Sequence, residues 1–152
     1  MSPLFFREIT RNPWTFGLFL LPFLLALGFL GRVRTEEGYV DLKRHALAPI
    51  VSLARLYALM AGSLAKGTVE RLKAAAEGGT LSQEGAERLE EAFRFFFALR
   101  LKHQLRALER GGEVSNRVLW SSLSPGERRK ALEGFRAIAE MQESTASRFQ
   151  LR

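Results

Sequence analysis

The chain has 152 residues, 47% of them apolar, which excludes a disordered composition and leaves room for one domain with a real core. It contains no Cys and 2 His, His45 and His103, which excludes disulfides, thiol nucleophiles, Cys-based metal sites and an all-His zinc site. The net charge of +7 is spread as +3 over residues 1–60, +2 over 61–110 and +2 over 111–152, with no basic block, so nucleic acid is not the expected partner.

The first element is the stretch PWTFGLFLLPFLLALGFLGRV, from Pro13 to Val33. Its 18 uncharged residues, Trp14 to Gly31, would span about 27 Å as a helix, close to the thickness of a bilayer core. Arg7 and Arg11 before it and Arg32 and Arg34 after it give no inside–outside bias. Pro22 interrupts the middle, Gly28 and Gly31 suggest a turn, and no small-residue cleavage site follows. The expected reading is a buried apolar helix ending in a tight turn. A membrane anchor at residues 14–31 is its rival.

Residues 31–41 read as a polar loop. From Ala46 to Ala65 the lone charge is Arg55, so this helix is expected to be buried on all sides, with Pro49 in its first turn. A short helix, TVERLKAAAE, lies between Gly67 and Gly78-Gly79 and is expected to be capped by Thr68. A long helix begins near Ser82 and ends at Gly111-Gly112. Its first half carries Glu84, Glu87, Glu90 and Glu91; its second carries Arg94, Arg100, Lys102, Arg106 and Arg110. That order complements the helix dipole, and Glu84–Arg88 and Glu90–Arg94 have i,i+4 spacing. Residues 112–123 read as a second loop.

The last helix opens with Ser124, Pro125 and Glu127: an N-cap, a Pro at the first helical position and the Glu of a capping box. Its inward positions are expected at Leu132, Phe135, Ala139, Gln142, Ala146 and Phe149, a seam with alternating steps of three and four. Strand signals are nearly absent. The expectation is an all-α antiparallel helical bundle in a single domain over 1–152, with 1–31 as apolar N-terminal helix and turn and 41–152 as bundle core.

The segments GFLGRV, VDLKRHALAPIVSLARLYAL, GTVERL, LSQEGAERLEEAFRFFFALRLKHQL, SNRV and LSPGERRKALEGF occur here in one order. Together, over about residues 26–150, they resemble the helical substrate-binding domain that follows a nucleotidyltransferase-like domain in multidomain bacterial signalling proteins. Those proteins often carry CBS-pair and cyclic-nucleotide-binding modules and are similar to PII-uridylyltransferases. The resemblance implies a cytoplasmic accessory domain in signal transduction, with a nucleotidyltransferase-like catalytic domain or chain as partner. The region PLFFREITRNPWTFGLFLLP matches that pattern poorly. The chain is expected to begin partway into the helical domain, as a truncated gene or a split subunit.

Catalysis within the chain is not expected. Two-metal nucleotidyl transfer usually needs two or three clustered carboxylates, and the resemblance implies a catalytic domain upstream with a Gly-Ser turn followed by an Asp-x-Asp metal pair. Here Gly62-Ser63 is placed in a helical context, and Asp41 is the single Asp beside 15 Glu. No cofactor and no metal are expected. The same composition, with 18 Arg against 5 Lys, 2 Asn and 4 Gln, hints at a thermophilic source.

Candidate ligand-binding residues are polar ones at positions where apolar residues would pack. On a helical wheel centred on Phe97, with Phe93, Leu101 and Leu108 close by, Gln104 falls inside the stripe, Arg100 between Phe93 and Phe96, and His103 at its edge. Arg55 is the fourth, and Arg71 in GTVERL matches a family position that joins them through the resemblance. One reading is an anion pocket: Arg55 and Arg100 grip a nucleotide or phosphate through forked donors, with Gln104 and His103 orienting it. The other is structural: Arg55 or Arg100 pairs with Asp41 or a nearby Glu, and Gln104 bonds a backbone carbonyl. Asp41 is expected to fix a helix start. Two rival functions stand beside the accessory role. One is an interaction module whose apolar N-terminal segment pairs with a second copy, as a homodimer, or with the missing catalytic domain. The other is a small membrane-anchored protein.

Overall fold

The computed structural model describes residues 35–149. The apolar stretch at 14–31 lies outside them. No helix among the described residues is long and apolar enough to cross a membrane.

Four α-helices account for most of the described chain. They are α1 (Ala48–Met60), α2 (Thr68–Glu77), α3 (Gln83–Glu109) and α4 (Pro125–Arg148). The fold is all-α, as expected. A π-helical turn, Lys43–Leu47, leads without a break into α1, and Pro49 occupies the first turn of α1. Ser82 caps α3 by accepting from Gly85 N at 3.0 Å, and Gly111 closes it with φ +66°, a left-handed conformation suited to glycine. Ser124 and Glu127 form the complete capping box of α4.

Four local expectations need correction. Residues 31–41 and 112–123 are not plain loops: they contribute β1 (Tyr39–Asp41) and β2 (Arg117–Leu119), an antiparallel pair in the register Tyr39↔Leu119, Val40↔Val118, Asp41↔Arg117. Each strand is three residues long, too short to show alternation, yet Val40 and Val118 are buried in the common core. Thr68 does not cap α2; Gly67 stands at that position without a side-chain bond. Gly62-Ser63 lies just beyond the end of α1, with Gly62 at φ +71°. α1 is not buried all round: Ser52, Arg55 and Leu59, at helical spacing, form its exposed side.

The core draws on every element, with Val40, Leu42, Ile50, Leu53, Leu72, Leu89, Phe96 and Val118 at or near complete burial. α3 and α4 pack antiparallel. The Phe96 and Phe135 rings lie 4.8 Å apart between them, and Gly134 makes this approach possible. A Cβ on Gly134 would stand 2.6 Å from Phe96 Cε2. The buried face of α4 runs through Ala131, Gly134, Ala137, Ile138, Gln142 and Thr145, so the expected seam is rotated. Leu132, expected inside, is 47% exposed. On α3 the core face is Leu89, Ala92, Phe96 and Leu99, not the stripe centred on Phe97.

Candidate functional site

The second half of α3 meets the start of α4 and the β2 loop at one end of the bundle, and most of the candidate residues lie there. Glu127 is the hub. As the third residue of α4 it accepts from Ser124 N through Oε2 at 2.8 Å, and its other oxygen, Oε1, accepts from Lys102 Nζ of α3 at 2.7 Å. The Lys102 bond and then the backbone donor of Ser124 pull the Glu127 pKa down to about 2. Its charge therefore persists far into acid.

His103 follows Lys102 and is half-buried. Burial lowers its pKa first, and the Arg106 cation adds to that; Glu127 opposes and Lys102 reinforces. The imidazole is thus neutral at pH 7, in a setting where positive charge predominates. Gln104 Nε2 donates to Asn116 Oδ1 at 3.3 Å, and the Asn116 carbonyl accepts from Leu42 N at 3.0 Å. This ties α3 to the loop before β2 and to the residue following β1. Arg100 is half-buried, with its guanidinium 5.9 Å from the centroid of the Phe97 ring. Arg128, at the start of α4, donates to the carbonyls of Leu123 at 3.0 Å and Ser121 at 2.8 Å.

From Arg100 to Arg117 the sequence carries five cations, Arg100, Lys102, Arg106, Arg110 and Arg117, against two carboxylates, Glu109 and Glu113. Glu127 neutralises one of them through Lys102. The surplus favours an anionic ligand.

A groove lies between α2, α3 and α4. It is open, with a volume of about 1040 Å³. Its wall carries five cations, among them Lys73, Lys130 and Arg136, and five carboxylates, among them Glu77, Glu91 and Glu133. The balance gives it no preference for a polyanion. No group of three or more His, Asp or Glu residues able to hold a metal ion occurs among the described residues.

Residues 20–149 match the family described as "Putative nucleotidyltransferase substrate binding domain". The chain belongs to this family. No curated protein and no solved structure matches it. The family match begins inside the apolar N-terminal stretch and covers every helix described above.

Within this substrate-binding-family domain, Arg100, His103 and Gln104 share the second half of α3, while Arg55 and Arg71 stand on other helices. Arg55 is exposed and forms no ion pair with a described residue. Arg55 is not a buried cation and needs no anionic partner, because solvent serves it. Arg71 Nε donates to the Ala65 carbonyl at 2.9 Å and fastens the α1–α2 connection. Asp41 Oδ1 accepts from Arg44 N at 2.9 Å, at the start of the turn into α1. Gln104 meets the Asn116 side chain rather than a backbone carbonyl.

Sequence reasoning missed Lys102 and Asn116 as members of this cluster. Lys102 sits 25 positions before Glu127, so no local spacing links them. The expected Glu90–Arg94 pair forms at 2.8 Å, but Arg88 reaches across to Glu140 on α4 at 2.7 Å instead of back to Glu84.

Proposed function

We propose that the chain is a non-catalytic accessory domain that holds or positions an anionic substrate, a nucleotide or a phosphate group, for a nucleotidyltransferase-like catalytic domain. The family membership carries the accessory role. The observation that supports an anion site is the cationic end of α3, where Arg100, His103 and Gln104 lie within five residues of one another and Arg106 adds to the field around His103. Arg100 supplies a forked donor set, and Gln104 holds the loop that flanks it. Arg55 and Arg71 complete the proposed set. The same reading places the protein in the cytoplasm, in bacterial signal transduction, beside CBS-type modules. It gives the chain no catalytic residues and no cofactor.

The test is a titration of inorganic phosphate and AMP by calorimetry against the wild-type chain, Arg100→Ala, Arg55→Ala and Arg71→Ala. The expected outcome is binding by the wild type, lost by at least tenfold in Arg100→Ala with the helical circular dichroism unchanged. Loss in Arg100→Ala but not in Arg55→Ala or Arg71→Ala confines the site to α3. Unfolding of Arg100→Ala instead assigns that residue a structural role, and wild-type protein that binds neither probe sinks the proposal.

A further inference from the structure

The second half of α3 has an apolar face turned away from the core. Phe97 is 49% exposed, Leu101 46%, Leu105 51% and Leu108 58%. Their spacing of four, four and three places them within an arc of about 80°, roughly opposite the core-facing Leu89, Ala92, Phe96 and Leu99. The buried residues of α3 end at Leu99, while the helix runs on to Glu109. Over the last ten residues of the helix Arg100, His103, Gln104 and Ala107 form a half-buried side, and the apolar stripe beside it is left exposed. Contiguous apolar exposure of this kind marks a contact surface.

We infer that this face is the docking site of the chain's own N-terminal segment, Trp14 to Gly31. Three observations select that occupant over a foreign one. First, chemistry: the segment has 18 residues without a charge, and Phe16, Leu20, Phe23, Leu24 and Leu27 are among them. Second, position. The segment joins the described fold at β1, and Leu42 N, just after β1, bonds the Asn116 carbonyl, while Asn116 Oδ1 accepts from Gln104. Gln104 lies beside Phe97 and Leu108 on the helix wheel, at the edge of the stripe. The connection therefore reaches the bundle at the edge of the exposed stripe. Tyr39 and Leu119, paired on the two strands, are themselves 39% and 37% exposed at that junction. Third, reach. Gly31 and Tyr39 are eight chain steps apart, a span of up to about 28 Å, whereas the stripe from Phe97 to Leu108 is about 16 Å long.

The absence of Cys makes the test direct. Leu20→Cys, Leu24→Cys and Leu27→Cys are each combined with Leu105→Cys in the full chain and treated with a short bismaleimide. Each is also combined with Ser52→Cys, on the exposed side of α1, as the control. Circular dichroism checks that the variants keep the wild-type helicity. The expected result is a cross-linked peptide joining the N-terminal segment to residue 105 within a protein of monomer mass, and little or none to residue 52. A product found at dimer mass alone overturns the inference in favour of a second copy on the face. Equal linkage to 105 and 52, or none to 105 from any of the three positions, also overturns it. Co-sedimentation of the chain with phosphatidylglycerol vesicles, with the 105 linkage lost, overturns it in favour of a lipid surface.

Discussion

The Tyr57 hydroxyl of α1 donates to Thr145 Oγ1 of α4 at 2.8 Å inside the core, and Thr145 Oγ1 in turn donates to the Met141 carbonyl at 2.6 Å. Two buried hydroxyls thereby satisfy each other and join the first and last helices. Thr145→Val keeps the shape but strands the Tyr57 hydroxyl, which should cost about 1–3 kcal/mol. Tyr57→Phe leaves Thr145 its bond to Met141 and should cost about 1 kcal/mol. Urea unfolding of the two single variants and the double variant checks the order. A double variant less destabilised than the sum of the singles confirms that the two hydroxyls act as a pair.

Gly134 and Gly126 lie on the same helix and should respond oppositely to alanine. At Gly134 the new Cβ would press on the fully buried Phe96 ring and on Ala92. The strain, typically about 1–3 kcal/mol, should exceed the helix-propensity gain of at most about 1 kcal/mol. At Gly126 nothing lies within 4 Å of the added Cβ. Gly126→Ala should leave stability unchanged or raise it by up to about 1 kcal/mol. Thermal melts of the two variants decide the matter; a stabilised Gly134→Ala would mean that the α3–α4 contact is looser than its geometry.

Those two positions also show what was legible in the sequence. Most helix ends were, because caps are local: Ser82, Gly111 and the Ser124–Glu127 box each act within a few residues of chain, whereas α2 starts at Gly67 without the side-chain cap expected from Thr68. Helix faces were not. The run Phe95-Phe96-Phe97 is apolar at three successive positions, so periodicity leaves its phase open, and the structure buries Phe96 while exposing Phe97. On α4 the buried face relies on Ala131, Gly134 and Ala137, small residues whose burial reflects close helix approach rather than hydropathy. The two short strands were hidden because Val40 and Val118 are each a single inward residue. In the candidate site, Glu127 was visible as a cap, but the Lys102 bond that gives it a second role depends on how α3 and α4 are placed together.

Glu127 should give the protein a distinctive acid response. Its folded pKa of about 2 lies below the ordinary 4.5, so the ionised form is favoured by folding. That contribution is fully present above pH 4.5 and is lost as the pH falls toward 2. Glu127→Gln keeps an oxygen for Ser124 N but removes the ion pair with Lys102. At pH 7 the variant should be less stable by about 0.5–1 kcal/mol, since the pair is partly solvated. The check is urea midpoints measured from pH 7 to pH 2: the gap between wild type and variant should close at the acid end, and a gap independent of pH would remove the ion pair from the account.

His103 reports on the same end of the bundle from the opposite direction. Its pKa is lowered, chiefly by burial and then by Arg106, so folding favours the neutral ring. Stability from this group is complete above its unfolded value of 6.5 and declines as the pH drops below it toward the folded pKa. An anion bound beside Arg100 and Arg106 would offset the cationic contribution but leave the burial contribution, so phosphate should raise the His103 pKa. Arg106→Ala should raise it without phosphate and shrink the further rise that phosphate produces. Histidine ring shifts followed by NMR between pH 4 and pH 8 resolve the two, with His45 as the internal comparison. A His103 titration indifferent to saturating phosphate would place any anion site away from this end of α3, because a charge bound among these cations could not escape the imidazole.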